Sequence, residues 1–195
     1  MPKQKEELAP LSMSDWKAER TRILEQRRRR ARNQSISLSI GLAALCATII
    51  FTPRPLFVWN ASASAITGLY FVSGRSGLER GEMAALWLPP HARQLAAERR
   101  YLPQNIAAIK RVVGVAGDSV CALGTRISVN GKWIADRHPI DGKGRPMPWW
   151  QNCKRLGKDE LFLLNEEAAN SFDGRYIGIS QRSDVIGEAS LIWRD

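Results

Sequence analysis

Asn60-Ala61-Ser62-Ala63-Ser64-Ala65-Ile66-Thr67-Gly68-Leu69-Tyr70 is the stretch on which the reading of this chain turns. It is small and hydroxyl-rich, turns at Gly68, and enters the apolar run Leu69-Tyr70-Phe71-Val72. Short side chains let a second backbone approach closely, and Ser64 presents a hydroxyl there. A serine hydroxyl is a weak nucleophile at its own pKa and needs a base from elsewhere in the chain. The same composition suits a flexible tether, because Ala/Ser tracts are common linkers. The choice between the two depends on whether the rest of the chain supplies a base.

Upstream, the stretch at 35–52 carries no charge and is dominated by Ile, Leu and Phe. Eighteen helical residues would span roughly 27 Å, just sufficient for a hydrocarbon core. Pro53-Arg54-Pro55 ends such a helix, and Leu56-Phe57-Val58-Trp59 reads as interfacial, with Trp59 suited to the headgroup layer. Before it, residues 1–34 hold ten Lys/Arg against five Asp/Glu and end in the cluster Arg27-Arg28-Arg29-Arg30. A short helix over 14–30 would set that cluster at anionic lipid headgroups. The expected organisation is a cytoplasmic basic segment 1–34, a transmembrane anchor 35–53, and a domain 54–195 on the far side, by the positive-inside rule. A cleaved signal peptide competes, since Ala61-x-Ala63 and Ala63-x-Ala65 have the small-residue pattern. The long region before the apolar core and the two prolines after it favour an uncleaved anchor.

Downstream, short β segments follow: 69–72, 83–88, 106–115 and 161–164, then 185–193. Asn130-Gly131 between Ile127-Ser128-Val129 and Trp133-Ile134 is a strong hairpin signal. His91 to Arg100 reads as a short helix opened by Pro90. Residues 136–160 read as irregular, with Trp149-Trp150 either packed in the core or dipping into a bilayer. The fold class is therefore mainly β, an antiparallel domain on one N-terminal transmembrane helix.

Charge and cysteines exclude other classes. The net charge of +10 looks like a nucleic-acid signal until it is divided, because residues 60–195 hold eighteen basic against fourteen acidic residues. No base-reading motif accompanies the basic tail, so no specific nucleic-acid partner is expected. Cys46 falls in the apolar segment, while Cys121 and Cys153 lie beyond it. Those two either form a disulfide on an oxidising side or remain separate buried thiols. His91 and His138 show no ligand spacing, and no metal or cofactor is expected.

Lys110 breaks an otherwise apolar strand. A lysine there either snorkels to solvent or is buried, and burial lowers the pKa of its amine. A neutral amine near Ser64 takes the hydroxyl proton, which is the logic of Ser-Lys variants of the catalytic triad. Ser64 with Gly68-Leu69-Tyr70, followed by Lys110-Arg111-Val112-Val113-Gly114-Val115-Ala116-Gly117-Asp118 and Ser171-Phe172-Asp173-Gly174-Arg175-Tyr176-Ile177-Gly178, resembles the type I signal peptidase family of serine-lysine peptidases (S26). The Asn-x-Ser-x-Ser prelude and Glu98-Arg99-Arg100-Tyr101-Leu102-Pro103 resemble its TraF-type branch, the peptidases of conjugative plasmid transfer.

The resemblance implies a signal-peptidase-like catalytic domain with Ser64 as nucleophile and Lys110 as general base. It implies an oxyanion hole from the Ser64 amide and the Ser62 hydroxyl, with Ser171 orienting Lys110. Asp173 and Arg175 would form a structural ion pair behind the site; a surface pair of little weight is the alternative. It implies a polypeptide substrate laid along a strand edge, with small pockets selecting alanine-like residues. The implied setting is a bacterial inner membrane, with membrane lipid at the anchor, the N-terminus cytoplasmic and the catalytic domain periplasmic. The expected task is maturing, and in this branch cyclising, a pilin precursor. The alternatives are a general signal peptidase I and a non-enzymatic β module of a transfer channel. Ala65 and Ile66 after the nucleophile, Ala116 and Gly174 depart from the family pattern. None of the four carries a proton-transferring group.

Overall fold

The computed structural model describes residues 13–50, 54–74 and 77–195. The chain divides into two compact units, Met1–Pro53 and Arg54–Asp195. In the first, one helix, α1 (Met13–Ile50), runs without a break. Its Ala, Arg, Leu, Glu and Gln residues are good helix formers, so nothing separates a polar helix from an apolar one. Among the described residues no helix is long and apolar enough to cross a membrane, which corrects the expectation of a transmembrane helix over 35–53. The described helix is rich in arginine in its first half, and Ser35, Ser37, Ser39 and Thr48 interrupt its Ile and Leu residues in the second, so it is not apolar enough. The remainder of the expected span, 51–53, and the first twelve residues of the tail lie outside the described residues.

The second unit is built on two antiparallel sheets. The larger contains β1 (Phe57–Asn60), β2 (Gly68–Val72), β3 (Met83–Leu86), β4 (Ala108–Gly114), β9 (Glu160–Leu163), β10 (Ser180–Gln181) and β11 (Val185–Arg194), in the order β1-β2-β11-β3-β4-β9-β10. The smaller contains β5 (Ser119–Leu123), β6 (Arg126–Val129), β7 (Lys132–Asp136) and β8 (Asn152–Arg155), in the order β7-β6-β5-β8. Among the described residues two α-helices, α2 (Pro90–Glu98) and the single turn α3 (Gly174–Ile177), and a 3-10 turn at Arg182–Asp184 complete the unit.

Several segments differ from the sequence reading. Within Leu56-Phe57-Val58-Trp59, read as interfacial, lies a strand the reading did not assign: Phe57–Asn60 pairs with β2. Val58 and Asn60 face inward while Phe57 and Trp59 face out, the two-residue period of a strand. Residues 136–160 contain β8, all four residues of which are exposed. No apolar alternation announces that strand. Cys121 of β5 lies opposite Cys153 of β8, and the two are joined by a disulfide. Asn130 and Gly131 both take positive φ, as a type I′ hairpin turn between β6 and β7 requires.

The core forms around β4, which is buried at six of its seven positions. Ala108 and Val112 pack with Leu86, Leu161, Leu163 and the α2 residues Ala92 and Ala96. Ile109 packs on the other side with Val58, Tyr70, Val72 and Ile186. Val113, Phe162 and Leu164 pack against the smaller sheet through Val120, Ile127 and Val129. A strand covered on both faces reads as a continuous apolar run rather than an alternation. A lysine within that run therefore stands out.

Candidate active site

Ser64 lies in the hairpin loop 61–67 between β1 and β2, and Lys110 lies in the middle of β4. The sheet brings them together: Lys110 Nζ is 3.0 Å from Ser64 Oγ and 2.8 Å from Ser171 Oγ. Lys110 is only 5% exposed, so it does not snorkel. Burial disfavours the ammonium and lowers the amine pKa from 10.5 to about 8. The Asp173 carboxylate opposes that fall and the Arg175 guanidinium adds to it. Desolvation dominates, as it does for a cation without a close carboxylate. Near neutral pH a usable fraction of the amine is unprotonated, and the Ser64 hydroxyl can donate to it.

Ser62 lies beside Ser64. Its hydroxyl is 3.0 Å from Ser64 Oγ and accepts the Ser64 amide at 3.3 Å. The two groups expected to form the oxyanion hole thus lie together beside Ser64 Oγ and are bonded to each other. A substrate carbonyl entering there would replace a weak internal bond with two donors aimed at its oxygen.

Near Ser64 and Lys110, Asp173 and Arg175 form a buried pair rather than a surface one, 1% and 0% exposed. Arg175 Nε donates to Asp173 Oδ1 at 3.2 Å and Nη1 donates to the Ala169 carbonyl at 2.8 Å. Asp173 caps α3 by accepting the Arg175 amide. Every strong donor has an acceptor, which offsets the cost of burying the charges. Gly174 departs from the family pattern for a local reason. A Cβ there would lie 2.7 Å from both the Leu163 carbonyl oxygen and a Phe162 ring carbon.

Ser64 and Lys110 line a cleft of about 500 Å³, walled also by Ala63, Ala108, Ile109, Tyr101, Met147 and Phe172 among others. A second hollow of about 390 Å³ adjoins it and shares Asn60, Ser62, Tyr101 and Leu102. The rim holds a cluster that the sequence reading missed. Tyr101 donates its hydroxyl to Asp141, and Arg145 donates to Asp141 Oδ2 at 2.7 Å. The Tyr101 hydroxyl, with the amides of Arg145 and Lys143 and the Arg145 guanidinium, holds the Asp141 carboxyl well below the usual carboxylate range. Tyr101 had stood out only as part of a family-like run, and Asp141 lay in the segment read as irregular.

Trp150 packs inward: its indole donates to the Gly174 carbonyl at 3.0 Å and its ring meets Phe162 edge-on. Trp149 lies over the Arg137 guanidinium at 3.7 Å, a cation–π contact. Among the described residues no group of three or more His, Cys, Asp and Glu is gathered.

The family described as "Signal peptidase, peptidase S26" matches residues 29–194. Two plasmid transfer proteins TraF of Escherichia coli are 34% and 32% identical to the chain, over 137 and 138 residues. Each alignment covers 65% of this chain, with 76% and 77% of the relatives. A signal peptidase I of Leptolyngbya laminosa is 30% identical over 88 residues, 44% of this chain and 40% of that protein.

Proposed function

This chain belongs to the signal peptidase family, peptidase S26, and on that premise we propose that it is a serine endopeptidase with Ser64 as nucleophile and Lys110 as general base. The observation that carries the proposal is a lysine amine 5% exposed and within 3.0 Å of a serine hydroxyl. Neutral Lys110 removes the proton as Ser64 Oγ attacks the scissile carbonyl carbon. The Ser64 amide and the Ser62 hydroxyl receive the developing oxyanion. The Lys110 ammonium then gives its proton to the departing amine, leaving a Ser64 ester, and water, deprotonated by Lys110, resolves it. Ser171 keeps the Lys110 amine pointed at Ser64, while Asp173 and Arg175 hold the 165–173 segment that carries Ser171. Residues 54–195 make up the peptidase domain.

The substrate is a polypeptide, and we assign it to conjugative plasmid transfer, most simply a pilin precursor. The support is similarity to two TraF proteins over 65% of the chain, against 44% for the signal peptidase I. The Cys121–Cys153 disulfide supports an oxidising compartment for the domain. The test is mass spectrometry of a co-expressed pilin precursor with the parent chain, Ser64→Ala and Lys110→Met. Processing by the parent that is lost in both variants at equal protein level is the expected result. Unaltered processing in both would sink the assignment and favour a scaffold role. A product lighter than the linear chain by one water would mean that the substrate's own amine, rather than water, resolved the ester.

A further inference from the structure

The serine and the lysine come from segments that do not pair with each other, so something must set their relative position. Two asparagines lie under them. Asn60 ends β1 opposite Gly68, at the mouth of the loop that carries Ser64. A loop of seven residues is too long to be held by a tight hairpin turn. The buried Asn60 side chain fills it instead: Nδ2 donates to the carbonyls of Ser62, Ala65 and Ile66 at 2.9, 3.2 and 3.1 Å. Its Oδ1 accepts the Ser62 amide at 3.1 Å. The carbonyls on both sides of Ser64 are therefore tied to one side chain.

Asn165 does the same for the base. The β4–β9 ladder runs through Val112 opposite Leu163, and β9 ends there. At Lys110 the neighbouring backbone has turned away into the segment leading to Ser171. The Asn165 side chain takes its place: Oδ1 accepts the Arg111 amide at 2.9 Å and Nδ2 donates to the Ile109 carbonyl at 3.1 Å. Those are the peptide groups flanking Lys110. The Asn165 backbone in turn donates to Asp173 at 3.2 Å and accepts from Arg175. Asn165 thus links the strand of the base to the buried ion pair.

We propose that Asn60 and Asn165 are the positioning residues of the Ser64–Lys110 dyad, Asn60 setting the nucleophile loop and Asn165 the strand of the base. The inference rests on the peptidase reading above. Neither asparagine takes part in proton transfer; each acts through the backbone it holds. Loss of Asn60 leaves three carbonyls of the loop without a common donor, and Ser64 drifts from Lys110. Loss of Asn165 frees the peptides around Lys110 and admits water, which returns the amine toward its ordinary pKa.

The test uses the full chain and an internally quenched peptide selected from a library by turnover with the parent. Asn60→Ser and Asn165→Ser are compared with Asn130→Ser, an asparagine that braces the Asp118–Ser119 turn away from the cleft. Asn60→Asp and Asn165→Asp serve as closer variants should the serines not fold. Asn60→Ser is expected to lower kcat about tenfold or more, with KM within about threefold. Asn165→Ser is expected to move the pH midpoint of kcat upward by about half a unit or more. Asn130→Ser is expected to lower thermal stability while leaving kcat and midpoint in place. Asn60 and Asn165 variants that lose stability alone, or that all fail to fold while Asn130→Ser folds, would overturn the proposal. A parent that cleaves no member of the library, or a Ser64→Ala variant that matches it, would instead remove the peptidase reading beneath.

Discussion

Replacing Lys110 by Met tests the buried amine without reference to any substrate. The side chain is 5% exposed, and its pKa falls from 10.5 to about 8 mainly through desolvation. A drop of that size corresponds to about 3 kcal/mol. The sign follows from proton counting. Between pH 8 and 10.5 the unfolded chain keeps the proton while the folded chain has lost it. The unfolded state binds more protons, so stability rises with pH across that window. Below pH 8 both states are protonated and the folded state carries the full cost of a desolvated ammonium. Met is close to lysine in length and carries no charge. The prediction is that Lys110→Met is the more stable protein near pH 6.5, less whatever is lost in the bonds to Ser64 and Ser171. That advantage should shrink by about 3 kcal/mol by pH 10.5. Urea unfolding of the two proteins at half-unit steps of pH measures it, and the other titrating groups cancel in the difference. Parallel stability curves from pH 6.5 to 10.5 would refute the reasoning, because Lys110 would then titrate as an ordinary exposed lysine.

Two further outcomes are expected. Replacing Cys121 and Cys153 together by Ala should cost about 3–4 kcal/mol of unfolding free energy, since the bond closes a loop of sequence separation 32; equal stability of the oxidised parent and the double variant in urea would contradict it. Arg175→Met leaves Asp173 as an unpaired buried carboxylate and should cost about 3–5 kcal/mol, read as a fall in the thermal midpoint; an unchanged midpoint would return the pair to the weak, surface-like class.

The residues of the candidate site were legible before the fold was known, because they stand out by residue type. A hydroxyl in a small-residue stretch and a lysine in an apolar run announce themselves, and Ser171, Asp173 and Arg175 stand in a recognisable block. Strands with apolar runs or a paired turn signal were equally plain, as at 106–115 and Asn130-Gly131. Where side-chain polarity carries no pattern, the reading failed. The exposed β8 is defined by pairing with β5, and the strand β1 went unassigned because it is recognised only by its pairing with β2. The anchor was read from the uncharged stretch alone, whereas the described helix joins that stretch to an arginine-rich half and is not apolar enough to cross a membrane.

What only the tertiary structure decided is the state of each group. The sequence determined that Lys110 is a lysine among apolar residues; its burial within β4, beside the segment that carries Ser171, decided that its amine is desolvated and bonded to two serines. Ser64 and Lys110 stand 46 residues apart, and Lys110 and Ser171 stand 61 apart. No local propensity encodes a 3 Å contact over such separations. It arises from the register of the sheet and from two asparagine side chains that bond to backbone, an interaction indifferent to the sequence it holds.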